Sequence, residues 1–471
     1  MPFAQYPSNQ ARAAIENAQH MPVWLDSPER PEPRASVTGQ QSAGLVVIGA
    51  GLSGLWTALR AKERFPQWDV ALVEGDRIAN AASGRNGGFV ASSITHGYSN
   101  GITRWPEEFR ELHRMGVANL EGIEKTIADY GIDCGYRRAG ELDTAIEPYQ
   151  VAELIEHAEL IQDHGVDVTF LDRQQTQERV GSSSYLASVF DPYVGIVDPA
   201  RLCWGLARAA ESLGVRIYEH SAVTSLKRRN ASIQVSTLAG RIDADRVAIT
   251  TAAHQPLLKR VSAFVVPVFD HVFATAPIPT DLLAEIGWQG REGVGDSGNQ
   301  FHYYRLTEDN RLLWGGYDAV YARGQRPGSP LEKDDFLTAR LVQHMHDTFP
   351  QLIDIPVDYT WAGAIDTCSR FTAFWGRAHQ GRVAYVVGYT GLGVGASRFG
   401  ADVLIDILTG QDTERTQTRL VRGKPLPFPP EPVRQWVIDL TRRSLDKADH
   451  NQGRRDGWLR MLDKLGLGFD S

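Results

Sequence analysis

Cysteine is scarce in this chain. Its three copies, Cys134, Cys203 and Cys368, lie far apart and form no C-x-x-C pair. That excludes a disulfide framework and a cysteine zinc site, and suits a reducing, cytoplasmic setting. Nowhere is there a run of about 18 uncharged apolar residues, and the N-terminal MPFAQYPSNQARAAIENAQHMPVW has no apolar stretch of signal-peptide length, so neither a membrane span nor export is expected. A concentrated basic surface is lacking too. The 49 Lys+Arg and 57 Asp+Glu give a net charge of -8 spread along the sequence, which argues against nucleic acid as a partner. Internal repeats and low-complexity tracts are also absent.

What the chain does have is length, apolar content and glycine in particular places. With 471 residues and 42% hydrophobic content it can build two domains and a large core, since single cores stop growing near roughly 250–300 residues. The stretch LVVIGAGLSG, residues 45–54, is a short apolar run breaking into G-x-G-x-x-G. Glu74 follows twenty residues after the last glycine and closes a second apolar run, Val70 to Val73. This spacing predicts a βαβ unit for a dinucleotide. Gly49 permits the tight turn, Gly51 lets backbone N–H groups approach a pyrophosphate, and Gly54 lets the helix pack close on the strand. Leu52 and Ser53 open that helix, and Glu74 is placed to accept hydrogen bonds from the adenosine ribose.

Two further glycine clusters follow. Ala82-Ser83-Gly84-Arg85-Asn86-Gly87-Gly88 allows backbone to pass close to a flat ligand. Gly388-Tyr389-Thr390-Gly391-Leu392-Gly393-Val394-Gly395 lies between the apolar run Val383 to Val387 and a predicted helix through Leu408. That second helix N-terminus favours negative charge, as a reduced isoalloxazine carries near N1 and its C2 oxygen.

Periodicity organises the rest. Residues 1–43 read as a proline-bearing surface arm anchored by Trp24 and Leu25. Nucleotide-binding elements are predicted at 44–98, 196–254 and 372–412. The helical and alternating segments 99–195 and 255–371 are expected to form an interleaved substrate domain on an antiparallel sheet. Residues 413–471 read as a tail packed on the body. The expected fold class is α/β, a Rossmann-like FAD-binding domain with an interleaved α+β substrate domain.

The motifs VVIGAGLSGLWTAL with Glu74, ASGRNGG, GIVDPARL, VPVFDHVF with YYRLTEDNRLLWGG, WAGAID and GYTGLGVG occur in an order covering residues 44–412. In that order they resemble the FAD-dependent amine oxidoreductases of the D-amino-acid oxidase and glycine oxidase superfamily, in particular the gamma-glutamylputrescine oxidoreductase branch. The resemblance implies non-covalent FAD, with Gly49, Gly51 and Gly54 at the pyrophosphate, Glu74 at the ribose and the Val223 backbone at the adenine. Ser83, Arg85, Asn86, Gly87 and Gly88 would line the flavin, and Gly388, Gly391, Leu392 and Gly393 would cradle its pyrimidine end. It further implies oxidation of a C–N bond, with hydride passing to flavin N5 and water hydrolysing the imine. Thr250-Thr251-Ala252-Ala253 stands where relatives often carry glycine, and Thr367 to Thr372 lacks the Asp and Pro of many relatives. Cys368 does not align with the cysteine through which some relatives attach flavin.

Substrate-facing candidates are His271, His302, Tyr303, Tyr304, Arg305, Trp314, Trp361, Asp366, Arg370 and Tyr389. Tyr304, Arg305, Trp361 and Tyr389 are the expected catalytic set. Strand alternation allows only one of Tyr303 and Tyr304 to face the flavin. The expected substrate is a small primary or secondary amine or an amino acid, with O2 or a quinone as electron acceptor, no metal, and a homo-oligomer as one possible assembly. A second reading, of a different class, is a flavin-binding protein of the same fold without catalysis, for instance an RNA-modification partner. An NAD(P)-dependent dehydrogenase would leave the third glycine cluster without a role.

Overall fold

The computed structural model describes residues 3–464 apart from 255, 325 and 329. Two large sheets dominate it. The eight-stranded sheet runs Ser225–Arg229, Ser232–Ser236, Gly240–Ile249, Gly39–Ile48, Val70–Val73 and Arg216–Tyr218. Val383–Val387 also pairs with the end of Gly240–Ile249, and Phe374–Ala378 pairs with Val383–Val387. The contacts of Gly39–Ile48 with Val70–Val73 and Gly240–Ile249 are parallel, as are those of Val70–Val73 with Arg216–Tyr218. Parallel strands covered on both faces need apolar side chains at successive positions. The VALV run, buried at every residue, meets that need.

Helices Leu52–Arg64, Pro199–Ser212 and Gly393–Thr409 cover one face of this sheet with a core that includes Leu45, Val47, Leu55, Leu59, Leu206 and Leu404. Close approach of the first helix is enforced at Gly54, where a Cβ would lie 1.8 Å from the carbonyl oxygen of Gly49. Thr250 completes the joint, donating through Oγ1 to the carbonyls of Ile48 (2.8 Å) and Gly49 (3.0 Å). Thr250, the first residue of the segment Thr250–Ala253, thus serves as a hydrogen-bonded floor for the turn.

The nine-stranded sheet runs Gln19–His20, Val357–Thr367, Val266–Thr275, Leu312–Gly316, His302–Leu306, Gly293–Asp296, Glu141–Ala145, Ala187–Asp191 and Thr169–Leu171. Its far face packs on helix Asp335–Thr348 through a core with Phe273, Tyr304, Trp314, Met345 and Phe349. Its near face looks toward the carboxyl ends of the parallel strands. The first residues are more than a surface arm. Gln19–His20 adds a parallel strand beside Tyr359 and Thr360, and Phe3 packs on His302 with ring centroids 4.5 Å apart.

Candidate functional site

Between the two sheets lies a cavity of about 1440 Å³, larger than the ~300–1,000 Å³ usual for small-molecule sites. It opens at the carboxyl ends of Gly39–Ile48, Val70–Val73 and Gly240–Ile249, where ligands of open α/β sheets bind. Gly49, Gly51, Leu52, Ser53, Glu74, Ser83, Arg85, Asn86, Gly87, Gly88, Val223, Gly391, Leu392 and Gly393 all line it. Three glycine-bearing turns far apart in sequence are thereby brought to one space. Gly54 and Gly388 stand just behind the wall. Gly388, at φ +85°, donates its N–H to Asp366 Oδ2 at 2.6 Å.

The turns are prepared for a ligand by their own hydrogen bonds. Glu74 accepts from Ala50 N–H at 2.7 Å and Asp76 N–H at 2.9 Å, one bond to each oxygen. Each oxygen keeps lone-pair capacity for a hydroxyl donor. Burial raises the pKa of Glu74 above the usual carboxylate range. At Gly51 a Cβ would meet Ser83 Oγ at 2.7 Å, so the first and second turns touch where a diphosphate would pass. Gly391, at φ +98°, has nothing within 4 Å of where a Cβ would lie. Among the described residues no side chain caps helix Gly393–Thr409, whose first residues line the cavity, so its first N–H groups are left for an electronegative partner.

The 82–88 loop is braced from two sides. Asn86 donates to the carbonyls of Ala82 and Ser83 and accepts from Gly88 N–H. Trp24 donates its indole N–H to the carbonyl of Asn86 at 2.9 Å, and Trp361 donates to that of Arg85 at 2.8 Å. Arg85 donates to the carbonyls of Asn80 and Ala362 and pairs with Glu332 at 3.0 Å.

This geometry corrects the expected catalytic set. Tyr304 points to the far face, 1% exposed, stacked on Trp314 at 3.9 Å with its hydroxyl 2.6 Å from Tyr185. Tyr303 has the opposite parity and lines the cavity above Gly87. Trp361 supports the backbone of the 82–88 loop from behind. Arg305 lies beneath Gly88 and over the Trp24 ring, covered by the loop, with burial lowering its pKa to about 10. Tyr389 does line the cavity, but its hydroxyl is 2.9 Å from Ser53 Oγ and its ring lies against Gly400.

Other candidates also sit off the cavity. Arg370 donates to the carbonyls of Thr372 and Ala373. His271 has the opposite parity to cavity-facing Asp270, and Trp314 is sealed in the far core. His302 is buried in a relay, its Nδ1 2.6 Å from Asp296 Oδ2 and its Nε2 2.8 Å from His344 Nδ1. His344 Nε2 in turn lies 2.8 Å from the carbonyl of Ala4. Because a carbonyl only accepts, His344 donates there and accepts from His302, leaving one proton between His302 and Asp296. Burial pushes the Asp296 carboxyl up and the His302 ring down, which favours the uncharged pair. Cys368, at the cavity edge, donates through Sγ to the carbonyl of Thr372 at 3.1 Å, and burial raises its thiol pKa.

Sequence reasoning missed Asp270. Its carboxylate accepts from the Tyr303 hydroxyl at 2.6 Å and from Gly316 N–H at 3.1 Å, and burial pushes its pKa up to about 6. It also missed Glu141, Asp143 and Asp191, which face the same cavity. The available signal was alternation: in Glu141-Leu142-Asp143-Thr144 the acids share one strand face. Among the described residues no helix is long and apolar enough to cross a membrane, and no cluster of His, Cys, Asp or Glu has the arrangement of a metal site.

Comparison with known proteins bears on the same elements. A family model described as DAO, FAD dependent oxidoreductase, matches residues 45–407. The gamma-glutamylputrescine oxidoreductase of Escherichia coli (strain K12) is 33% identical over 381 residues, covering 78% of this chain and 84% of its own. The probable oxidoreductase OrdL of Haemophilus influenzae is 29% identical over 384 residues, covering 80% and 85%. Among solved structures, glycine oxidase from Geobacillus kaustophilus is similar with a TM-score of 0.66 at 18% identity, covering 80% of this chain and 96% of that one.

Proposed function

The chain belongs to the DAO family of FAD-dependent oxidoreductases and its cofactor is FAD; from that membership we propose that it oxidises the C–N bond of a primary or secondary amine or an amino acid. The carbon bearing the neutral amine gives up a hydride, and the imine hydrolyses to an aldehyde or keto acid. FAD supplies the hydride acceptor at N5 of its ring. The observation that carries the reading is the convergence of three glycine turns, Glu74 and Tyr303 on one cavity.

Glu74 would hold the ribose and the Val223 backbone the adenine. Gly51, Leu52 and Ser53 would pass the diphosphate, and Ser83, Arg85, Asn86, Gly87 and Gly88 with Gly391, Leu392 and Gly393 would frame the ring. Tyr303 and Asp270 stand on the substrate side. The Tyr303 hydroxyl donates to Asp270, so its remaining lone pairs accept an amine N–H and leave the nitrogen lone pair free to align with the breaking C–H bond. Burial and the Asp270 charge raise the phenol pKa, keeping Tyr303 protonated. Tail residues Pro427, Phe428, Ile438 and Leu445 line the cavity and exclude water.

Anaerobic mixing of FAD-loaded protein with a panel of amines and amino acids tests this. Bleaching of the oxidised-flavin band by at least one of them is expected. A flavin that binds yet stays oxidised throughout the panel points instead to a flavin-binding protein without catalysis.

A further inference from the structure

The near face of the nine-stranded sheet carries acids separated by glycines. Cross-strand register puts Asp191, Glu141 and Gly293 in one row, and Val189, Asp143, Gly295, Tyr303 and Gly315 in the next. Asp270 faces Gly363 on the same side. Phe89 fills the space over Gly293 and the Tyr303 ring that over Gly315, whereas Gly295, with nothing closer than 3.5 Å to where a Cβ would lie, leaves room beside Glu141 and Asp143. Asp143 accepts from Ser297 at 2.7 Å, Asp191 from Tyr98 at 2.8 Å and from Tyr193 N–H at 2.8 Å. Glu141 has no hydrogen-bond or ion-pair partner among the described residues, though it is closed in by protein and its remaining surface opens into the cavity. Crowding by Asp191 and Asp143, added to burial, lifts its pKa to about 8. On the same wall Gln300, 9% exposed, buries its Oε1 without any partner among the described residues.

Free positive charge is missing from the cavity wall on this side, since Arg305, which shares the parity of Tyr303, is covered by the loop at Gly88. Among the described residues no lysine lines the cavity, and its two arginines are committed, Arg85 to Glu332 and Arg442 to Asp318 at 3.2 Å. His96 and His157 have pKa values lowered by burial. A substrate carboxylate would meet crowded acids that already resist ionising, and no free cation. A second ammonium group would meet unpaired acceptors.

Resting on the amine-oxidation reading, we propose that this site takes an amine with a second, remote ammonium group, a diamine or polyamine, whose distal cation is held by Glu141 and Asp143 while the reacting amine lies at Tyr303. Asp143 and Tyr303 stand in one cross-strand row two strand spacings apart, roughly 10 Å. That separation suits an aliphatic chain of several methylenes. Selectivity on this account comes from the sheet face and not from the flavin cradle.

Anaerobic flavin reduction of the FAD-loaded protein by 1,4-diaminobutane, 1,6-diaminohexane, the equal-length monoamines and 4-aminobutanoate reads the inference. A diamine is expected to surpass its monoamine in kcat/KM by about tenfold or more, the value of one charge-assisted contact, with 4-aminobutanoate the poorest. Glu141→Gln and, separately, Asp143→Asn should move the diamine-to-monoamine ratio toward one. Equal efficiencies in the unaltered protein, or preference for the carboxylate-bearing compound, overturn it. If none of these compounds bleaches the flavin, the wider panel of amines and amino acids judges the oxidation reading on its own. Calorimetric titration of the same protein with 1,6-diaminohexane and hexylamine then decides this inference separately: tighter diamine binding supports it, and equal or absent binding ends it.

Discussion

At the residue scale, single atoms at Gly51 and Glu141 decide what the cavity holds. A Cβ at position 51 falls 2.7 Å from Ser83 Oγ, in the gap left for a diphosphate. Gly51→Val should therefore abolish FAD binding while leaving a folded protein, because the crowded neighbour is a side-chain hydroxyl able to turn aside. Flavin absorbance per protein, with circular dichroism as the folding control, checks this, and full occupancy in the variant would refute the assignment of Gly51. Glu141 bears on stability through its raised pKa. A carboxyl lifted from 4.5 to about 8 contributes fully below its unfolded value, and that contribution is lost as pH rises through about 8. Glu141→Gln removes the titration, so its Tm should exceed that of the unaltered protein by a few degrees, in order of magnitude, at pH 9 and not at pH 5. Parallel Tm curves for the two proteins would show that Glu141 ionises without cost.

At the scale of elements, the strand-turn-helix at 44–64 was legible because its signals are local: apolar run, three glycines and acidic terminus fall within some thirty residues. The parity of His302–Leu306 was not, because which of Tyr303 and Tyr304 faces inward depends on pairing with Leu312–Gly316 and on the far core that captured Trp314. Trp24 and Trp361 were legible as anchor and aromatic wall, yet their shared task needs the fold. Two indoles more than three hundred residues apart hold two successive carbonyls of one loop. Trp24→Phe keeps an aromatic ring but removes the donor together with part of the buried indole's volume, so the hydrogen bond's net loss of about 0.5–1.5 kcal/mol is a lower bound. The loop then spends more time away from its ligand-ready shape, and the Kd for FAD should rise about twofold to tenfold. An unchanged Kd by fluorescence titration would mean that packing alone holds the loop.

At the scale of the whole molecule, the acids of the cavity escaped sequence reading for a topological reason. Asp143, Asp191 and Asp270 come together only when strands from distant parts of the chain enter one sheet, and no local pattern encodes that order. The tail shows the same dependence on long-range contacts. Helix Val433–Asp449 walls the cavity with Val437, Ile438, Thr441 and Leu445, and it is pinned at its end by Asp449. That carboxylate accepts from Asn299 N–H at 2.9 Å, from Asn299 Nδ2 at 2.7 Å and from Gln300 N–H at 2.9 Å. Asp449→Ala removes the shared acceptor and leaves two backbone donors to find others, at a cost of about 1–3 kcal/mol. The loss falls on the attachment of helix Val433–Asp449 and not on the two sheets, whose cores include none of its residues. The expected result is faster proteolytic cutting between residues 411 and 432, together with stronger iodide quenching of bound flavin as water enters, while flavin content stays near that of the unaltered protein. Faster cutting with unchanged quenching would mean that the tail lies over the cavity without sealing it.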